Sequence, residues 1–166
     1  MVTKMTIAIS LNLFHLIQQL LFTDGKETER NLHFKLKYAL TRDLQILSKD
    51  ASWYENKRLE LVKKYGEQQK GSDTIMVTDA NKETFRNEML KLQKMEVTHD
   101  LTKIDADAVS YLPNDEIEVT SLEIALMQQY LINDPDFTQD LATSIPDPEE
   151  DTTETSQKQD EPSKAQ

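Results

Sequence analysis

The sequence predicts an α+β fold that is predominantly helical: one long amphipathic helix, shorter helices, a small set of short strands, and a disordered acidic C-terminal tail. Three observations carry this. Residues 27–65 contain neither proline nor glycine and keep one apolar stripe at helical spacing. Short β-rich runs flank that stretch on both sides. Beyond residue 132 the composition changes to acids and prolines. Residues 1–132 are therefore expected to form one domain and residues 133–166 a tail.

Met5 to Ser10 contains Thr6-Ile7-Ala8-Ile9, a β-branched run that suits a strand. Leu11 to Phe22 follows as an apolar helix with Leu13, Phe14, Leu16, Ile17, Leu20 and Leu21 over a broad face. Lys4 ahead of this apolar stretch resembles the start of a secretory leader. Asn12, His15, Gln18 and Gln19 interrupt it, however, and Leu20-Leu21-Phe22 offers no small-residue cleavage site. A strand and a core helix are expected instead.

Thr23-Asp24-Gly25-Lys26 reads as a turn. The long helix is expected from Glu27 to Tyr65, with its stripe at Leu32, Leu36, Leu40, Leu44, Leu47, Ala51, Tyr54, Leu61 or Val62, and Tyr65. A helix of ~38 residues would be about 57 Å long at 1.5 Å per residue, so it must pack along another helix or bend. Ser48 to Ser52 is the expected place for a bend, and Gly66 is the expected left-handed helix end.

Glu67 to Asp73 reads as a polar loop and Thr74 to Thr78 as a strand. Asp79 is placed to cap a helix from Ala80 to Lys94, with Phe85, Met89 and Leu92 on one face. Met95, Val97, His99 and Leu101 alternate with Glu96, Thr98, Asp100 and Thr102. Period two predicts a half-exposed strand. A turn at Leu112 to Asp115 leads to a short strand with Ile117 and Val119. Thr120-Ser121-Leu122-Glu123 is a capping box, in which the threonine hydroxyl accepts from the third helical amide and the glutamate reaches back. The helix it opens runs to about Ile132.

Charge is unevenly distributed. Residues 133–166 hold ten acids and two bases, so −8 of the net −11 belongs to the tail. Proline and charge dominate it, and it cannot bury enough apolar area to offset its ordering entropy. Phe137, Leu141 and Ile145 form an i, i+4, i+8 set able to fold on a partner. Within the body, residues 1–65 carry +4 and residues 66–132 carry −7.

Several chemistries fail on residue type. There is no cysteine, which removes disulfides, thiolate metal sites and cysteine nucleophiles. Three glycines, Gly25, Gly66 and Gly71, cannot build a dinucleotide fingerprint. Gly66 and Gly71 have the spacing of a phosphate loop, but Ser72 and Asp73 stand where lysine and a hydroxyl residue are needed. Asp105 to Glu116 has the length of a calcium loop, yet Val109 and Ser110 stand at positions 5 and 6, which need an oxygen ligand and a glycine, and Pro113 sits at position 9. His15, His33 and His99 form no ligand-like pairs, and His99 and Asp100, as strand neighbours, face opposite ways. No catalytic, cofactor or metal residue is expected, and the chain is read as a non-enzyme.

A strand, an apolar helix, the Gly25-Lys26 turn, Arg30 and a long charged helix ending near Glu60, Leu61 and Tyr65 follow one another. A polar insert from Gly66 to Val77 and a helix with Phe85 and Leu90 to Leu92 come next. Over residues 5–132 this order resembles a family of small tailed-phage and prophage proteins of Gram-positive bacteria, a domain of unknown function. The resemblance implies a phage setting, the cytoplasm of the infected host cell with virion association as a variant, and carries no activity. With the chemistries that fail above, the chain is expected to be a non-catalytic phage accessory protein, an assembly or host-interference factor.

The expected partner is another protein or a second copy, without membrane, cofactor or small-molecule ligand. The expected binding face is Trp53, Tyr54, Arg58 and Tyr65 on the long helix, because these residue types concentrate in interface hot spots. Tyr54, Arg58 and Tyr65 fall near one side, with Trp53 about 100° away. The alternative is a nucleic-acid-directed protein, binding through the basic half or mimicking DNA with its acids. With most of the excess acidity in the tail, mimicry is the weaker of the two readings.

Overall fold

The computed structural model describes residues 2–23, 28–71, 73–112 and 117–133. The expectations for the tail beyond Asn133, and for the centres of the turns at 24–26 and 113–115, lie outside them. The fold is the expected α+β class, dominated by helix.

β1 (Val2–Thr6) comes earlier than the sequence suggests, and α1 (Ile7–Leu21) takes over the β-branched residues Ile7 and Ile9. Capping and burial override their strand propensity. The Thr6 hydroxyl accepts the Ile9 N–H at 3.3 Å, and the Ile7 N–H donates to the Met95 carbonyl at 2.8 Å. Ile7, Ser10, Leu13 and Ile17 then continue at helical spacing into the core.

β2 (Phe22–Thr23) and β3 (Thr28–Glu29) pair antiparallel. They also shorten the long helix. The Arg30 N–H is held by the Leu21 carbonyl at 2.7 Å, so the chain cannot be helical there. α2 starts at Phe34 rather than Glu27 and runs unbroken to Tyr65, 32 residues or about 48 Å. The helix does not break at Ser48 to Ser52, the expected place for a bend. The Ser48 hydroxyl bonds back to the Gln45 carbonyl at 2.8 Å within the helix.

α1 packs along the first half of α2, and every fully buried α2 residue, from Leu36 to Leu47, lies in that half. Leu13, Leu16, Ile17 and Leu20 from α1 meet Leu36, Leu40 and Leu47 in the core. The second half of α2 is covered by α3 (Lys82–Gln93), none of whose residues is fully buried, and by a hairpin of β4 (Gly66–Gln68) and β5 (Ile75–Val77).

Gly66 is not a left-handed cap: its φ is −104° and it opens β4. It is glycine for lack of room. A Cβ there would lie 2.5 Å from the Val62 carbonyl oxygen and 2.9 Å from that of Met76. Asp79 makes no capping bond. Asp79–Asn81 is a 3₁₀ turn, and the Asp79 carboxylate pairs with Lys82.

β6 (Glu96–Asp100) alternates as expected, with Val97 and His99 inward, and pairs antiparallel with β1 in the register Met5 to Val97 and Thr3 to His99. β7 (Ile104–Asp105) leads into a 3₁₀ segment, Ala106–Tyr111. Ile117 and Val119 are not a strand. They pack against the core as extended chain before α4 (Ser121–Leu126). The capping box forms as read: the Thr120 N–H donates to Glu123 Oε2 at 2.7 Å, and the Glu123 N–H to Thr120 Oγ1 at 3.3 Å.

After α4 the chain widens into a π-helical turn, Met127–Leu131, which turns Met127, Tyr130 and Leu131 all inward. The wider turn frees carbonyls, and Lys103 Nζ donates to those of Gln129 and Tyr130 at 3.3 and 2.9 Å. β8 (Ile132–Asn133) then pairs in parallel with β7. Among the described residues no helix is long and apolar enough to cross a membrane.

Candidate functional site

At the start of α2 the helix leaves two aromatic rings in water. Phe34 is 78% exposed and Tyr38, one turn on, is 62% exposed. Their rings stack with centroids 6.3 Å apart and 26° between planes. An i, i+4 pair stabilises a helix surface, yet two large rings exposed side by side are costly in water. Beside them lies a cleft of about 220 Å³ between α2 and the β7 strand with its following turn, lined by Tyr38, Ala39, Lys103, Ile104 and Ala108. Leu36, Ala39, Ile104 and Ala108 make its lining mostly apolar, with charges of both signs from Lys35, Lys103 and Asp105. Such a surface can take up an apolar side chain from another molecule.

The four residues expected to form a face all lie on α2 or at its end, and they are held in different ways. Tyr54 is half-buried, and its hydroxyl accepts from Gln93 Nε2 of α3 at 2.9 Å. Tyr65 is half-buried where the chain turns into the hairpin. Its carbonyl accepts from the Thr78 N–H and from Asn81 Nδ2, and Lys64 Nζ lies 4.8 Å from its ring centre. Arg58 is held by its own helix, with Nε and Nη2 donating to the two oxygens of Glu55 at 2.8 and 2.7 Å. That fork raises the guanidinium's pKa and lowers that of Glu55. Trp53, about 100° round the helix from Tyr54, lines a cavity together with Ile7, Asp50, Met95 and Val97.

The structure brings together groups that sequence spacing did not. Asp50 of α2 receives two partners on one oxygen, Oδ2: the Ser10 hydroxyl of α1 at 2.5 Å and His99 Nε2 of β6 at 2.7 Å. The three residue types are those of a hydrolase triad, but the order is wrong. The carboxylate, not the imidazole, touches the serine, so the histidine is not placed to take the serine proton as it does in a triad. The cluster ties three elements together. Ser10 lies 40 residues from Asp50 and His99 lies 49, so no local spacing could reveal it.

A second buried acid, Asp43, is 0% exposed in the seam between α2 and the segment after β6. Its Oδ1 accepts the Thr102 N–H at 2.8 Å, while Oδ2 is buried without a hydrogen bond. Burial pushes its pKa up. The bond from Thr102 and the charges of Arg42 and Lys103 oppose the shift without cancelling it. Burial pushes Lys103 down in turn, opposed by Asp43. Among the described residues no group of three or more histidines and acids is placed to hold a metal ion.

Fold and site together describe a helical α+β protein with an exposed aromatic patch and two acids, Asp43 and Asp50, drawn into the packing around α2. Compared with protein-family models, curated proteins and solved structures, the chain matches none.

Proposed function

We propose that this is a non-catalytic protein that works by binding another protein. It would act as a phage accessory factor in assembly or host interference, in the cytoplasm of the infected cell or on the virion. The phage setting rests on the sequence resemblance. The binding role rests on one observation, the stacked and exposed Phe34–Tyr38 pair beside its apolar cleft. Aromatic rings on a rigid helix are the residues that most often carry binding energy, because they bury a large area with little loss of conformational freedom. Tyr54 and Tyr65 are engaged within the chain, so this patch supersedes the expected α2 face as the leading candidate surface.

The test is affinity capture from infected-host lysate with the wild type, a Phe34→Ala/Tyr38→Ala double variant and a Tyr54→Ala/Arg58→Ala double variant. Circular dichroism first establishes that each is folded. Loss of a captured protein with the first double variant alone supports the reading. Equal recovery by all three excludes the patch. Nucleic acid in place of protein, lost steeply with added salt, transfers the reading to the basic first half of the chain.

A further inference from the structure

We infer that the cavity between the start of α1, α2 and β6 receives the guanidinium of an arginine side chain from a partner protein. Asp50 would be its counter-charge and Trp53 its aromatic wall. The cavity is about 310 Å³ and is lined by Ile7, Asp50, Trp53, Met95 and Val97. Ligand cavities run from about 300 to 1,000 Å³, so this one suits a single side chain better than a cofactor.

Four of its five lining residues are apolar or aromatic, and the fifth is a carboxylate. Ser10 and His99 hold that carboxylate through Oδ2 alone. They fix its orientation and leave Oδ1 without a hydrogen-bond partner among the described residues. Trp53, three residues on, stands on the same side of α2. Among the described residues the basic side chain on Asp50 is His99, and it engages Oδ2; Lys4 of β1 pairs instead with Glu96 at 2.8 Å, and Lys57 of α2 with Glu60 at 2.7 Å. An anion held in place, with a free oxygen and apolar surroundings, favours a cation that tolerates losing water.

Guanidinium fits that description better than ammonium. It is planar and weakly hydrated, it stacks on indole, and it donates from several N–H groups. Its aliphatic stem can lie along Val97 while the charged head reaches Asp50. Met95, at the half-exposed rim of the cavity, would touch that stem.

Trp53 is the single tryptophan, so its fluorescence reports on this cavity directly. The full chain is titrated with Nα-acetyl-arginine amide and, in parallel, with Nα-acetyl-citrulline amide, which has the same shape without the charge. The arginine probe is expected to give a saturable change in Trp53 emission. The citrulline probe should bind at least about tenfold more weakly, as loss of a charge-assisted bond and a cation–π contact requires.

Asp50→Asn should weaken the arginine probe by a similar factor. Met95→Phe narrows the cavity without touching the Ser10–Asp50–His99 cluster and should also weaken it. An equal response to both probes, no saturable response, or unchanged binding in Met95→Phe overturns the inference. If Asp50→Asn does not fold, the probe comparison and Met95→Phe still decide. The inference rests on the protein-binding reading only in assigning the arginine to a partner. The titration tests the cavity without a partner and the capture experiment tests the reading, so either can fail alone.

Discussion

Asp50 and His99 stand 2.7 Å apart although 49 residues separate them, and the contact joins the long helix to the β1–β6 ladder. Both side chains are nearly buried, at 13% and 12% exposure. With Ser10 on the same carboxylate oxygen, the contact closes a three-element junction at one polar point. Elsewhere these elements meet mainly through apolar packing, which fixes distance better than register. A directional bond at this junction fixes both.

Asp50→Ala is therefore expected to destabilise the fold by about 1–3 kcal/mol, because it strands a fully buried Ser10 hydroxyl and the His99 ring. Ser10→Ala, which leaves the Asp50–His99 bond intact, should cost less. Denaturant titration of both variants checks the order. A Ser10→Ala loss equal to that of Asp50→Ala would show that the hydroxyl, not the junction, matters.

Asp43 carries the opposite expectation. Its pKa is raised in the fold, chiefly by burial, so the folded state prefers the protonated acid. Its stabilising contribution is thus complete below the ordinary value of 3.8 and is lost as pH rises through the raised value. Asp43→Asn keeps an oxygen for the Thr102 N–H and removes the buried charge. At pH 7 it is expected to raise stability, on the order of 1 kcal/mol. The gain should shrink as pH falls toward 4. Melting temperatures of both proteins across that range are the measurement, and a lower melting point for Asp43→Asn at pH 7 contradicts the account.

Gly66 and Gly71 should respond to alanine for different reasons. At Gly66 the backbone is ordinary, but an added Cβ meets the Val62 and Met76 carbonyl oxygens and, at 2.6 Å, Ile75 Cγ2. At Gly71 there is nothing within 4 Å, yet φ is +82°. Gly66→Ala is expected to cost about 1–3 kcal/mol as overpacking of the hairpin against the end of α2. Gly71→Ala should cost about 1–2 kcal/mol from the left-handed backbone, and Gly71→Asn less. Thermal unfolding of the three variants separates crowding from strain.

What could be read from the chain was whatever rests on local spacing. The α2 stripe, the alternation of Val97 and His99, and the Thr120–Glu123 capping box are periodic or short-range signals, and all three stand in the structure. Errors came where a distant partner decides. Ile7 to Ile9 looks like strand until Thr6 and the Met95 carbonyl start a helix there. Thr28 and Glu29 look helical until β2 pairs with them. Gly66 looks like a helix cap until β5 lies across it. For the candidate sites the same limit is sharper. The stripe showed that Tyr54 lies on a packed face but not that α3 covers it. The Asp50 cluster and the cleft beside Phe34 both depend on residues from β6 or β7 that no spacing links to α2.

The stripe itself hides a gradient. Leu40 and Leu61 both belong to it, yet Leu40 is 0% exposed in the core shared with α1, whereas Leu61, in the half that α3 and the hairpin cover, is half-buried. Burial, not periodicity, sets what each contributes. Leu40→Ala should cost about 2–5 kcal/mol, as a cavity in a core that cannot relax. Leu61→Ala should cost roughly 1 kcal/mol, because a half-buried side chain loses less area and its site can close. The same difference should appear without mutation. Amides of α2 between Leu36 and Leu47 should exchange with solvent only through global unfolding, and those between Glu55 and Lys64 through cheaper local opening. Hydrogen exchange read by mass spectrometry or NMR measures both stretches in one experiment. Uniform protection along α2, together with equal costs for the two leucines, would show that α3 and the hairpin hold the second half as firmly as α1 holds the first.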